Sequence, residues 1–222
     1  MSQTPWELLS SSLWPIVSGA LTGTIPLAVA SFVLGLALAL VLALMRLSGR
    51  GWVSGVARVY ISLVRGTPLL VQLFVIFYGL PSIGVVVDPW PAAIAAFSIN
   101  VGGYAAEVIR AAILSVPKGQ WEAAYMIGMS RRLALRRIIL PQAARVSVPP
   151  LSNTFISLVK DTSLASLTLV TELFRRAQEI AAFSQEFMLI YMEAALVYWV
   201  ICLALSSAQT RIETRLDRYV AH

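Results

Sequence analysis

The sequence predicts an all-α membrane protein: five transmembrane helices, an N-terminal interfacial helix and short cytoplasmic helices in one loop, all in a single domain over residues 1–222. Three observations carry that expectation. Hydrophobic residues make up 58% of the chain and charged residues only 13%, with a mean hydropathy of +0.78. A soluble domain of this length needs more charge to clothe its surface. The apolar residues also lie in charge-free blocks, at 8–45, 66–87, 89–106 and 194–210, and about 20 helical residues cross a bilayer core of roughly 30 Å. Finally, the basic residues behind the net charge of +6 gather in alternate connections between blocks, as membrane topology requires.

In chain order, segment 6–18 is apolar but rich in serine and carries Trp6, Trp14 and Pro15. It reads as a helix lying in the membrane interface, with a sixth span as the alternative. The spans are expected at 21–45, 56–80, 90–114, 138–159 and 187–207. Pro149-Pro150 interrupt the fourth, where they remove backbone donors and are expected to break the helix. With the N-terminus outside, Arg46, Arg50, Arg58 and Arg65 flank the first inner connection. Arg110, Lys118, Arg131, Arg132, Arg136, Arg137 and Arg145 fall in the second. Arg211, Arg215 and Arg218 fall in a cytoplasmic C-terminal tail. Fourteen of the seventeen basic residues are then inside, while the outer connection between spans two and three carries only Asp88.

The beginning of the chain has no basic segment and Glu7 precedes the first apolar block, so no cleavable signal is expected. Cys202 stands alone, which excludes an intramolecular disulfide and favours a buried thiol. The single histidine, His222, leaves no basis for a histidine metal site or a Ser-His-Asp triad. No catalytic residue and no metal site are expected.

The most informative stretch is the long inner loop at 120–142, QWEAAYMIGMSRRLALRRIILPQ. A connection this long implies structure of its own. Ala123 and Ala124 let another surface approach the backbone closely, Glu122 is expected to complement a helix dipole from the first turn, and Gly128 permits a bend between two short helices. Pro141 suits the first turn of the next helix. An amphipathic surface helix binding lipid phosphates through its arginines is the plainer alternative.

The spacing Glu122-Ala123-Ala124, Gly128, Ile138-x-Leu140-Pro141 resembles the signature of ABC-importer permeases, matching every signature letter and both gaps. Arg65-Gly66-Thr67-Pro68-Leu69-Leu70-Val71-Gln72, Lys118 through Ala124 and Phe155 through Leu164 are similar to motifs of the polar amino acid permeases, so that the resemblance covers most of residues 60–198. Tyr78-Gly79-Leu80-Pro81, Tyr104-Ala105-Ala106-Glu107 and Leu140 through Asn153 look most like the cystine-type permeases.

The resemblance implies a permease subunit of an ATP-binding-cassette importer in a bacterial cytoplasmic (inner) membrane, moving a polar amino acid such as L-cystine. The loop at 115–137 would hold coupling helices, with Glu122, Ala123, Ala124 and Gly128 seating in a separate ATPase. Two ATPase subunits, carrying ATP and Mg, a second copy of this permease or a related one, and a periplasmic or extracellular amino-acid-binding protein would complete the assembly. No cofactor is expected in this chain: neither Lys118 nor Lys160 lies in a phosphate loop. Nothing points to nucleic acid, because membrane sidedness accounts for the basic charge.

Polar groups in apolar helices are the candidates for the substrate path: Gln72, Asn100, Tyr104, Glu107, Asn153, Lys160 and Asp161. Charges within a membrane are costly and mark function or pairing. Glu107 can pair with Arg110 one turn on or act as a gate. Lys160 and Asp161 can cap a helix as a salt bridge, or offer a zwitterion both signs of charge. The remaining polar residues fit either interhelical hydrogen bonding or substrate contact. Glu172, Arg175, Arg176 and Glu179 have helical spacing that would align alternating charges on one outer face, suited to a binding protein or merely solvated. A stand-alone secondary transporter or channel is the alternative to an importer permease, disfavoured by the lack of an inverted repeat; a membrane anchor for a signalling complex is a third.

Overall fold

The chain folds around two helices that approach closely through small residues. In the computed structural model, which describes residues 4–217, helix α2 (Ile25–Arg46) and helix α5 (Pro89–Ser115) form the most extensive pair. Ala92, Ala93, Ala96, Ala105 and Ala106 of α5 are fully buried. A Cβ on Gly35 would stand 2.6 Å from the Val101 side chain, and one on Gly103 would stand 2.7 Å from Val64. Lipid tails are as apolar as leucine, so helices in a bilayer gain from close backbone approach rather than from apolar burial.

The other helices surround this pair. Helix α1 (Pro5–Gly19) begins with a capping box in which Thr4 and Glu7 exchange hydrogen bonds of 2.9 and 3.3 Å. Helix α3 (Gly51–Arg65) packs on α2 and α5, and the short helix α4 (Leu69–Phe74) continues through 75–83. Helices α6 (Lys118–Met126) and α7 (Arg131–Ala134) form the inner loop. Helix α8 (Leu140–Asp161) crosses α5, helix α9 (Leu173–Ser184) packs on α1, and helix α10 (Phe187–Asp217) lies against α8, α9 and α1. No strand occurs among the described residues.

Among the described residues, three helical segments are long and apolar enough to cross a membrane, at Pro5–Arg46, Pro89–Ser115 and Phe187–Arg215; the pair Gly51–Arg65 and Leu69–Ile83 adds a fourth if counted as one bent span. Helix α8 has a span's length, 22 residues, but Arg145, Lys160 and Asp161 dilute its apolar character.

Several expectations need correction. Segment 6–18 is not a separate surface helix. It runs through a π-helical turn at Ala20–Thr24 directly into α2. The reason is packing: a Cβ on Gly23 would meet the Thr171 carbonyl at 2.5 Å, and Ile16 is buried with Leu173 and Ile190, so α1 is fastened to α9 and α10. Pro149 and Pro150 do not break α8, which stays helical from end to end. The break comes in the second span instead, where α3 and the segment from Leu69 meet at 102°. Cys202 is half-buried rather than buried. The tail residues Arg218 and His222 lie outside the described residues.

Candidate functional site

A cavity of about 610 Å³ opens where the bent second span faces α5 and α8, within the range of small-molecule sites. Its polar lining comes from three places. Thr67 stands at the bend, Asn100 and Tyr104 stand one turn apart on α5, and Asn153, Thr154, Ser157 and Asp161 line one face of α8. The structure therefore brings together four of the seven expected path residues: Asn100, Tyr104, Asn153 and Asp161.

The bend combines a local bias against helix with tertiary pairing of the freed backbone. Pro68 disfavours helical backbone in Thr67 before it, and Pro68 is itself the extended N-cap of α4, with ψ 138°. Gln72 then stitches the bend closed. Its amide nitrogen donates to the carbonyl of Val64 at 2.8 Å, to the carbonyl of Thr67 at 3.2 Å and to the Thr67 hydroxyl at 2.9 Å. Its oxygen accepts from Asn100 at 3.2 Å. Gln72 thus sits behind the cavity wall and holds Asn100 and Thr67 in register. Arg65, the last residue of α3, lies 5.4 Å from the centre of the Tyr104 ring, a cation–π distance. Asn153 accepts from Gln209 of α10 at 3.1 Å.

The other two expected path residues stand elsewhere. Glu107 pairs with Arg110 at 2.8 Å and with Arg46 at 3.5 Å, tying α5 to the end of α2. Lys160, one residue before Asp161, points away from it. Lys160 lines a different cavity with Phe174, Tyr191, Tyr198 and Cys202, and no ion pair joins it to Asp161 among the described residues. Consecutive helical residues project about 100° apart, which separates them. The pair therefore does not present both charges to one cavity.

The inner loop has the expected two short helices. Gly128 sits between them at φ 78°, a left-handed conformation that favours glycine. Tyr125, Met126 and Ile127 project beside it, Met126 being 86% exposed. Glu122 and Ala123 face outward as well, but Ala124 is fully buried against the chain's own core. The expected close approach is therefore available over Ala123 and not over Ala124. Glu122 is not in the first turn: α6 starts at Lys118, directly after Pro117, which leaves Glu122 a turn further on. Pro141 does lie in the first turn of α8.

The outer segment also departs from its spacing. Glu172 does not share a face with Arg175, Arg176 and Glu179. It is fully buried and caps α9, accepting from the amides of Phe174 at 2.9 Å and Arg175 at 2.7 Å. The hydroxyls of Tyr198 and Thr24 donate to it at 3.0 and 3.2 Å. Burial raises its carboxyl above the ordinary value, and these hydrogen bonds oppose that rise. Arg175 and Arg176 both pair with Glu179 at 3.2 Å on the exposed face.

Thr67, Thr154 and Ser157 were missed from the sequence. A signal for Ser157 was present: Asn153, Ser157 and Asp161 recur at intervals of four, one stripe on a helix. Thr67 had no comparable signal, because only the bend turns it toward the cavity.

Similarity to known proteins agrees with this architecture. Residues 31–218 match the model of the binding-protein-dependent transport system inner membrane component family. The chain belongs to that family. It is 61% identical to the L-cystine transport system permease protein TcyB of Bacillus subtilis, covering 98% of this chain and 93% of that one. It is 38% identical to the glutamine transport system permease protein GlnP of Escherichia coli, covering 93% and 96%. Among solved structures, one chain of an amino acid ABC transporter crystallised with histidines superposes with a TM-score of 0.89 at 33% identity, covering 97% of this chain and 100% of that one. A chain of the MetNI methionine ABC transporter shares the fold, with a TM-score of 0.72 at 19% identity over 97% and 99% of the two chains. The protein is thus a multi-pass permease subunit of the ABC importer type.

Proposed function

We propose that this permease carries L-cystine, with another polar amino acid as the fallback, through the cavity beside the second-span bend. The observation that carries the reading is the convergence of Asn100, Tyr104, Asn153 and Asp161 on one membrane-embedded cavity, in a chain 61% identical to an L-cystine permease. An amino acid zwitterion needs an anion for its ammonium group and hydrogen-bond donors for its carboxylate. Asp161 supplies the first; Asn100 and Asn153 supply donors. Gln72 braces the wall, Glu107 anchors the inner end of α5, and Lys160 serves the α8–α10 side.

Five spans are proposed, counting α8 and the bent pair, with the N-terminus outside and the C-terminus cytoplasmic. The permease would pair with itself or a related permease around the path. Two ATPase subunits with ATP and Mg would seat on Glu122, Ala123 and Gly128 inside, with Ala124 buried beneath them, and a soluble binding protein would deliver substrate outside. The exposed Tyr125, Met126 and Ile127 beside Gly128 favour such a seat, since apolar tips on a charged loop mark interaction sites. Closure of the ATPases would move α6 and α7 and switch access to the cavity.

Uptake of labelled L-cystine into proteoliposomes holding the assembled importer tests the substrate. ATP-dependent accumulation is expected; clear uptake of another amino acid without cystine uptake would refute it. Gly128→Trp should insert normally yet lose the co-purifying ATPase, because a side chain at this φ is strained and bulk is added at the seat. Cysteine replacing Asp88 should react with an impermeant reagent from outside, and cysteine replacing Arg132 should not; the reverse pattern would overturn the topology.

A further inference from the structure

A second cavity, of about 900 Å³, opens between the end of α2, the end of α5 and the two short loop helices. Its walls have opposite chemistry. Leu44, Leu47, Leu114 and Val116, from the ends of two membrane-crossing helices, form an apolar side. Lys118, Arg131 and Arg132 line the other, with Ser48 beside them. Against these three cations the cavity carries one carboxylate, Glu122. None of the three is in an ion pair among the described residues. Arg131 donates one hydrogen bond to the Leu47 carbonyl at 3.4 Å, which holds its guanidinium over the end of α2 with other donors unspent. Trp121 and Tyr125, whose ring centres lie 6.2 Å apart, line the same cavity, and amphipathic rings of this kind favour the membrane–water boundary.

We propose that this cavity holds the headgroup of an anionic phospholipid, with its acyl chains running along Leu44 and Leu114 into the bilayer. A phosphate diester without a compensating ammonium matches three unpaired cations, whereas a zwitterionic headgroup brings a positive charge into the same space. A soluble anion would leave the apolar wall unused. Basic recesses between membrane helices at the cytoplasmic face bind anionic headgroups on these grounds. The placement in the inner leaflet rests on the proposed topology; the binding itself does not. A lipid here touches α6 and α7 directly, so anionic lipid becomes a component of the loop proposed to receive the ATPase.

The test uses the full chain in nanodiscs containing brominated lipid, with the fluorescence of Trp121 obtained as the difference between the wild type and Trp121→Phe. Dibromo-phosphatidylglycerol should quench this share at a far lower mole fraction than dibromo-phosphatidylcholine. Arg131→Gln with Arg132→Gln should erase the preference, each lost charge weakening it about fivefold. Lys118→Gln gives a second reading if the double variant does not insert. Both leaflets of the disc have the same composition, so a failed topology assignment does not affect the result. Equal quenching by the two lipids, or none by either, would overturn the proposal. So would full reversal of the phosphatidylglycerol quenching by inorganic phosphate, which would assign the cavity to a soluble ligand.

Discussion

Two proline sites in this chain behave in opposite ways. At Gly66-Thr67-Pro68 the second span turns through 102°, while Pro149-Pro150 leave α8 unbroken over 22 residues. Proline alone therefore does not decide whether a membrane helix breaks. At the bend, Gly66 caps the end of α3 and its amide donates to the Ser62 carbonyl at 2.9 Å, and Gln72 supplies three donor contacts to the freed backbone and to Thr67. The broken conformation has its polar groups paired, which is the condition for irregular backbone at membrane depth. In α8 the carbonyls that the prolines leave without an amide partner belong to Arg145 and Val146, both exposed residues. The helix nevertheless continues through both prolines, whose φ is compatible with helical backbone. The two regions meet at the cavity, one contributing a turn and the other a straight polar stripe.

The largest effect is expected at the end of that stripe. Asp161→Asn should leave membrane levels intact but reduce uptake at least about tenfold, since a hydrogen bond to a charged group is worth roughly 1.5–3 kcal/mol. Lys160→Met, one position away but facing another cavity, should change uptake much less. Equal losses in both variants at matched membrane levels would mean that the two residues act together after all.

The bend itself gives the next effect. Gln72→Leu removes the donors to Val64 and Thr67 and the acceptor for Asn100, and should destabilise the detergent-solubilised permease by about 2–3 kcal/mol. Thermal denaturation monitored by circular dichroism reads this directly. An unchanged midpoint would show that the bend is held by Pro68 and packing alone.

The smallest effect on uptake is expected in α8. Pro149→Ala restores one backbone donor in a helix that is already formed, and should leave uptake unchanged while raising stability by up to about 3 kcal/mol. A loss of transport with intact folding would give Pro149 a role in motion that the straight helix does not display.

Legibility in the sequence followed the range of the interactions. The helical class, the apolar blocks, the Gly128 turn and Pro141 in the first turn of α8 were readable, because composition and local backbone preference decide them. Asn100, Tyr104, Asn153 and Asp161 could be picked out individually, because polar groups in apolar helices are costly wherever they fall. Their convergence on one cavity was not readable, since the 102° turn that closes it depends on which backbone groups Gln72 can reach. Glu172 failed for the same reason. Its spacing placed it on an outer charged face, but Thr24, from far earlier in the chain, and Tyr198, from α10, draw it into the interior.

The sequence by itself determined that this chain lives in a membrane, is helical over most of its apolar blocks and carries the permease signature on a basic loop. Transfer free energy and local periodicity act residue by residue, so a linear reading captures them. Only the tertiary structure decided that α1 continues into α2, that the second span bends while α8 does not, and that Lys160 and Asp161 face different cavities. Those outcomes depend on which distant groups can pair with freed backbone and on how closely glycine and alanine let helices approach, and both are properties of the assembled bundle rather than of any one segment.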